Sequence, residues 1–148
     1  MIEGVVVKRL KVIPDERGRL MEILRRDDAV FKKFGQVYMT TVHPGIVKAW
    51  HYHKLQTDSF TCVSGEIRLA LYDSRPESPT YKETAEFTMS LDLPMLVQIP
   101  PLVFHGFKCT SAKEAMVINT VTEPYNHNNP DEHRVDPYEN DINYDWRR

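Results

Sequence analysis

The residues best suited to chemistry lie in a short histidine-rich segment. His51 and His53 are separated by one residue, Asp58 follows five residues later, and His105 comes shortly after Pro100-Pro101. Residues two apart on a β-strand leave the same face, so both imidazoles of the pair should point to one side of a sheet. A lone histidine is usually an ordinary hydrogen-bonded residue. Converging imidazoles with a carboxylate instead favour proton transfer or the binding of a divalent metal.

Short β-strands are the elements that must hold these residues in place. Ile67, Leu69 and Leu71 alternate with polar neighbours, as in a half-buried strand. Other segments rich in apolar, β-branched or aromatic residues predict further strands at Gln36–Val42, Met95–Ile99 and Ala115–Val121. Many short strands separated by turn residues indicate an all-β sandwich or barrel.

Local patterns give four further predictions. Ser64-Gly65-Glu66 predicts a hairpin turn, and Asp27–Phe34, followed by Gly35, predicts the one helix. The polar segment 125–148 should wrap the domain surface. Six aromatic residues should line or support the interior: Tyr38, Trp50, Tyr52, Phe60, Phe104 and Phe107.

Composition limits the class of protein. The chain has 148 residues, of which 41% are hydrophobic and 27% charged, so we expect a single folded domain over residues 1–148. A net charge of -2 provides no basic field for DNA or RNA. No apolar run approaches the roughly 20 residues of a membrane helix, and the N-terminus has no secretion signal. Two cysteines make no disulfide framework. Together, these features predict a cytoplasmic protein without nucleic-acid or membrane partners.

The histidine segment resembles the first motif of the cupin superfamily. From Gly45 to Gly65 the chain has Gly-x5-His-x-His-x4-Asp-x6-Gly, with Asp58 where glutamate is usual. Pro100-x-Leu102-x2-His105 resembles the second motif loosely, with Leu102 in place of glycine. The resemblance implies a double-stranded β-helix barrel, or jelly roll.

A closer resemblance, to the dTDP-4-dehydrorhamnose 3,5-epimerase family, covers nearly the whole chain. The segments that carry it, in order, are Asp15–Glu22, Gln36–Tyr38, Lys48–His51, Cys62–Ile67, Asp73–Thr80, His105–Phe107, Glu123–Asn126 and Asp141–Trp146. It implies an isomerase of deoxysugar and polysaccharide biosynthesis that acts on a nucleoside-diphosphate 4-keto-6-deoxy sugar. It also implies a homodimer that exchanges the N-terminal strand, predicted at Ile2–Ile13. No cofactor is expected, since the ketone of the sugar serves as its own electron sink.

The same resemblance implies roles for individual residues. His51 matches the family's base, and we predict His53 and Asp58 as catalytic residues beside it. The predicted substrate-binding residues are Arg17, Glu22, Gln36, Lys48, Gln56, His105 and Asn119. The chain departs from the family where Asn119, or with one gap Ile118, replaces the acid tyrosine and Asp58 replaces a lysine. The family's carboxylate partner for the base lies in a C-terminal extension that these 148 residues do not match.

Three alternative functions use these departures. The segment His51-x-His53-Lys54, with Gln56 after it, also resembles the dTDP-sugar 3,4-ketoisomerases, which are metal-free cupins. The set His51, His53, Asp58 and His105 suits a divalent metal in a metal-dependent cupin enzyme. The third alternative is a non-catalytic sugar-binding cupin.

Overall fold

The segments predicted as strands all fold into β-strands, and the computed structural model describes all residues, 1–148. The strands are β1 (Val6–Arg9), β2 (Val12–Asp15), β3 (Gly18–Met21), β4 (Gln36–Val42), β5 (Val47–Tyr52), β6 (Asp58–Ser64), β7 (Glu66–Asp73), β8 (Thr84–Ser90), β9 (Met95–Ile99), β10 (Val103–Cys109), β11 (Ala115–Val121) and β12 (His133–Arg134). The bounds of β4, β9 and β11 are those predicted from the sequence.

Two five-stranded antiparallel sheets make up the barrel. The strand order is β1-β9-β6-β11-β4 in the first sheet and β12-β5-β10-β7-β8 in the second, while β2 and β3 form a separate hairpin. Phe60 and Val97 of the first sheet and Leu69 and Phe107 of the second belong to one buried hydrophobic cluster. The sheets therefore pack face to face, which confirms the all-β jelly-roll prediction.

The predicted hairpin turn at Ser64–Glu66 is wrong. Strand β6 belongs to the first sheet and β7 to the second, so the chain turns a corner between the sheets there. Gly65 adopts a φ of +69°, and a Cβ at this position would lie 2.8 Å from Ala115 Cα. Only glycine meets both requirements. The sequence therefore predicts the turn at Gly65 correctly, but the two strands that it joins belong to different sheets and do not form a hairpin.

The predicted helix Asp27–Phe34 is also wrong, because this segment forms turns. Asp28 accepts a hydrogen bond from the backbone N–H of Arg25 at 2.7 Å and pairs with Lys8 at 2.5 Å. The carboxylate thus stabilises a turn and ties it to β1, and so short a helix would gain little by itself.

The structure contains no helix long and apolar enough to cross a membrane.

The polar tail, residues 125–148, packs along the second sheet. Strand β12 pairs with β5, and Trp146 is fully buried, with its ring centroid 5.1 Å from that of Trp50. Trp50 therefore lies with the tail and not in the barrel interior predicted for it. This packing brings residues 123–133 to the mouth of the barrel.

Candidate active site

One large cavity opens between the two sheets. Its volume is about 1180 Å³, which exceeds the roughly 300–1,000 Å³ of ordinary small-molecule pockets. Strands β4 and β5 and the tail segment 123–133 line it. Three of the four residues from the histidine motif, His51, His53 and His105, reach this cavity.

Strand pairing sets the positions of His51 and His105. These residues are directly opposite each other on β5 and β10, and their ring centroids are 6.3 Å apart. The pairing register shifts just after His105, next to Gly106. A Cβ on Gly106 would lie 2.2 Å from the Cβ of Ala49, so only glycine lets β5 lie this close to β10.

A turn and the tail fix His53, which follows the end of β5. The N–H of Leu102 donates to the His53 carbonyl at 2.8 Å, and Leu102 has a φ of +66°. The cupin motif usually has glycine here, which adopts such a φ without strain. Asp131 accepts from the backbone N–H groups of Lys54 and Leu55, and its own carbonyl lies 2.5 Å from His53 Nδ1.

Asp58 lies behind the cavity surface, where its side chain is only 1% exposed. One carboxylate oxygen lies 3.2 Å from His53 Nε2 and 3.1 Å from His105 Nε2. The other accepts hydrogen bonds from Gln56 at 2.6 Å and from Asn119 at 3.3 Å. Asp58 is absent from the cavity lining, so it contacts the two imidazoles and not the cavity itself.

Burial and charge give the two imidazoles next to Asp58 opposite protonation states. Burial alone would lower the pKa of His53, but the contact with Asp58 raises it to about 9. Burial lowers the pKa of His105 to about 4, against the attraction of Asp58. At neutral pH, His53 is therefore an imidazolium paired with the carboxylate, and His105 is neutral.

His51 has a different acidic partner. Its Nδ1 lies 3.4 Å from a carboxylate oxygen of Glu132. Burial lowers the pKa of His51 below its usual value, although Glu132 opposes this effect. His51 is therefore neutral at physiological pH, with one nitrogen beside a carboxylate. This is the arrangement of an oriented general base.

The predicted substrate-binding residues fall into three groups. Gln36, Lys48, Gln56 and His105 line the cavity, and Lys48 Nζ donates to Thr40 Oγ1 at 3.1 Å. Asn119 is fully buried behind the cavity lining, so the direct substrate contact predicted for it is replaced by contacts with Tyr38 and Asp58.

Arg17 and Glu22, the third group, lie outside the cavity of this chain. Arg17 pairs with Asp15 at 2.6 Å on the β2–β3 hairpin, and Glu22 contacts Arg25 at 3.3 Å. Neither residue belongs to the cavity lining. Their predicted role in substrate binding stays a prediction.

Sequence reasoning missed Asp131 and Glu132. Both belong to the polar tail, which was expected to wrap the surface, yet both line the cavity and contact the histidines. Asp131 and Glu132 are adjacent acidic residues just before His133, and this pattern could have indicated a role at the site. No local spacing relates Glu132 to His51, since the two are joined only through the pairing of β12 with β5.

The arrangement is suited to removing a proton from a carbon next to a carbonyl group. A neutral His51 with a carboxylate partner faces a cavity large enough for a nucleotide sugar. Lys48 adds a cation to the same cavity, whereas the His53 imidazolium is paired with the Asp58 carboxylate. Positive charge and hydrogen-bond donors in the cavity stabilise the enolate oxygen that forms when the proton is removed.

Comparison with known families decides between the proton-transfer chemistries. Residues 1–148 match the model of the family described as dTDP-4-dehydrorhamnose 3,5-epimerase. The chain belongs to this family. It is 37% identical over 146 residues to the spore coat polysaccharide biosynthesis protein SpsL of Bacillus subtilis, covering 99% of this chain and 97% of SpsL. It is also 37% identical over 140 residues to the probable low-salt glycan biosynthesis epimerase Agl13 of Haloferax volcanii, covering 93% and 89%.

A solved structure agrees with this assignment. The dTDP sugar isomerase of Desulfovibrio desulfuricans G20 superposes with a TM-score of 0.93 at 35% identity, over 98% of this chain and 92% of that one. The family, the jelly-roll fold and the isomerase class predicted from the sequence are thereby confirmed. The protein is a 3,5-epimerase-like enzyme of glycan biosynthesis, and the comparisons do not favour a ketoisomerase, a metal-dependent cupin or a non-catalytic protein.

Proposed function

We propose that this enzyme inverts carbon centres next to the ketone of a dTDP-4-keto-6-deoxy sugar, with His51 as the base. The observation that carries the proposal is the neutral His51 imidazole, which faces the cavity while its Nδ1 lies 3.4 Å from Glu132. Glu132 holds the ring and stabilises the imidazolium that forms when His51 takes a proton.

The reaction needs only groups that this chain contains. A ketone at C4 acidifies the hydrogens at C3 and C5, because the carbanion delocalises onto the carbonyl oxygen. His51 removes such a hydrogen, and the cationic side of the cavity stabilises the enolate. Asp58 keeps His53 protonated for this purpose.

Substrate binding fits the cavity in size and charge. Gln36 and Gln56 offer carboxamides and Lys48 offers a cation to the sugar and diphosphate. We propose in addition that a second copy of the chain supplies Arg17 and Glu22. Strand β1 pairs with β9 of its own chain, so exchange of that strand is not needed for the fold.

A homodimer is supported by apolar side chains exposed on the single chain. Val37 and Met39 are 51% and 53% exposed on the edge strand β4, and Ile13 and Leu20 are 50% and 59% exposed on the hairpin. Such patches usually mark an interface. A single 17 kDa species in light scattering at micromolar concentration would contradict the dimer. A cytoplasmic location stays a prediction.

We propose that the reaction requires no cofactor. His53, Asp58 and His105 are close enough together to hold a metal ion, but His51 does not belong to this cluster as the four-residue hypothesis required. Asp58 already pairs with His53 and accepts a hydrogen bond from Gln56. A content of about one divalent ion per subunit, removed by chelation together with the activity, would contradict the cofactor-free mechanism.

Replacement of His51 tests the base. With dTDP-4-keto-6-deoxyglucose in deuterated water, we expect His51→Asn to lower deuterium incorporation at C3 and C5 by about 100-fold or more. Proton NMR of the sugar measures this loss, and dTDP affinity shows whether the variant is folded. His43→Asn is the control, since His43 is an exposed histidine outside the cavity. Undiminished exchange in folded His51→Asn would remove His51 from the mechanism.

A further inference from the structure

Inversion of a carbon needs an acid on the face opposite the base, and the position that matches the family's acid cannot supply one. Asn119 is a carboxamide, and its fully buried side chain does not reach the cavity. The acid must therefore be sought among the groups that line the cavity. This question rests on the proposed function.

The sheet that carries the base also carries most of the cationic groups. Lys48 and His51 lie on β5, and His53 follows its end. The His53 proton is engaged by Asp58, 3.2 Å away, and the other ring nitrogen contacts Asp131. Groups on this side would return a proton to the face from which His51 removed it. They would permit exchange without inversion.

Tyr38 reaches the same cavity from the other sheet. It lies on β4, directly opposite Asn119 of β11, and its side chain, which is 39% exposed, lines the cavity. Asn119 Nδ2 donates to the phenol oxygen at 2.8 Å, while the phenol O–H donates to no protein atom. The proton of Tyr38 is therefore free to point toward a bound sugar.

We propose that Tyr38 is the general acid that protonates the carbanion on the face opposite His51. In this step His51 takes the hydrogen as a proton, the electron pair of the broken C–H bond forms a double bond to C4, and the π pair of the carbonyl group moves to its oxygen. The electron pair then returns to the carbon, which takes the proton of Tyr38 as the O–H bond breaks. Imidazolium and phenolate remain, and each regains its resting state by exchange with water.

The surroundings of Tyr38 fit this role. Burial and the nearby Asp58 raise the pKa of Tyr38 to about 12, so the phenol is protonated at working pH. The hydrogen bond from Asn119 has the opposite effect, because it stabilises the phenolate as it forms. Asn119 is thus a positioning residue that holds the phenol oxygen of Tyr38.

Tyr125 is the one competing phenol in the cavity wall. It belongs to the tail, and its ring packs edge-on against His127, with the centroids 4.8 Å apart. No hydrogen bond from a buried amide stabilises its oxygen. The two tyrosines therefore predict different results on conversion to phenylalanine.

The test measures exchange and inversion in the same reaction. In deuterated water with dTDP-4-keto-6-deoxyglucose, Tyr38→Phe should lower the yield of inverted sugar by about 100-fold or more. Deuterium incorporation with retained configuration should stay within about 10-fold of the wild type, since His51 is intact. His51→Asn should lose both signals. Tyr81→Phe is the control for loss of a phenol, because Tyr81 is exposed and outside the cavity.

Each other outcome has a definite meaning. Inversion at the wild-type rate in Tyr38→Phe would overturn the assignment, as would loss of inversion in Tyr125→Phe alone. Loss of exchange together with inversion in Tyr38→Phe, with dTDP binding intact, would also overturn it, since the phenol would then be needed to remove the proton. No exchange in the wild type would overturn the proposed function and, with it, this role. Exchange that survives in His51→Asn while Tyr38→Phe loses inversion would remove only the base assignment.

Discussion

Two aspartates of this enzyme are almost completely buried, but one contacts a guanidinium and hydroxyl groups and the other contacts imidazoles. Asp58 and Asp73 are 1% and 0% exposed. Asp73 accepts hydrogen bonds from the Arg75 guanidinium at 2.8 Å and from the hydroxyls of Ser78 and Thr80 at 2.6 Å each. Asp58 instead faces the imidazoles of His53 and His105.

The difference separates a structural carboxylate from one that serves chemistry. Burial would raise the pKa of Asp73, but its donors hold that pKa far below the usual value. Arg75 stays charged at all working pH values, and it also donates to the Glu3 carbonyl, so this cluster fixes the N-terminus and the loop after β7. The partners of Asp58 can gain and lose protons, and they line the cavity. A buried carboxylate paired with titratable groups is therefore the better indicator of a site.

The largest expected difference is in the free energy of unfolding. Asp73→Asn leaves the Arg75 guanidinium without its counter-ion, and we expect a loss of about 3 kcal/mol. Asp58→Asn should cost about 1–2 kcal/mol, because His53 can release its proton and avoid an unpaired buried charge. Urea denaturation measures both values. Activity should show the reverse order, with the greater loss in Asp58→Asn. Equal losses of stability would contradict the distinction.

The pH dependence of stability gives the next effect. The folded pKa of His53, about 9, lies above its unfolded value of about 6.5. Its contribution to stability is complete below the unfolded pKa and is lost as the pH rises through about 9. The slope should approach at most about 1.4 kcal/mol per pH unit. Asp58→Asn should flatten this slope, whereas Asp73→Asn should keep it, since the lowered pKa of Asp73 affects stability only at acid pH. A wild-type slope in Asp58→Asn would contradict the ion pair.

The smallest effect concerns the acidic limb of the pH–rate profile, which reports protonation of His51. Glu132 raises the pKa of His51 and protonated His53 lowers it. Glu132→Gln should therefore move the limb to lower pH. Asp58→Asn should move it to higher pH, because His53 then loses its charge. We expect shifts on the order of half a pKa unit to one unit. Rates of deuterium exchange between pH 5 and 8 measure both shifts. If the two variants moved the limb in the same direction, these pairings would be contradicted.

Much of the fold could be predicted because its signals are local. The period-two alternation of β7 and the β-branched, apolar and aromatic content of β4, β9 and β11 are visible in a few residues each, and so is the His51-x-His53 spacing. The two wrong elements failed for nonlocal reasons. Gly65 allows a turn, but only packing decides whether the next strand joins the same sheet or the other one. Asp28 could begin a helix, but its carboxylate is bound by Lys8, 20 residues away.

The sequence by itself determined the family, the strands and the histidines that reach the cavity. The tertiary structure decided which group meets which. It placed Asp58 against His53 and His105, and it brought Glu132 of the tail to His51. It also put Asn119 behind the phenol of Tyr38. These pairs depend on strand register and on tail packing between residues that are distant along the chain. A carboxylate, amide or phenol has the same local signal whether it faces solvent, a salt bridge or a substrate.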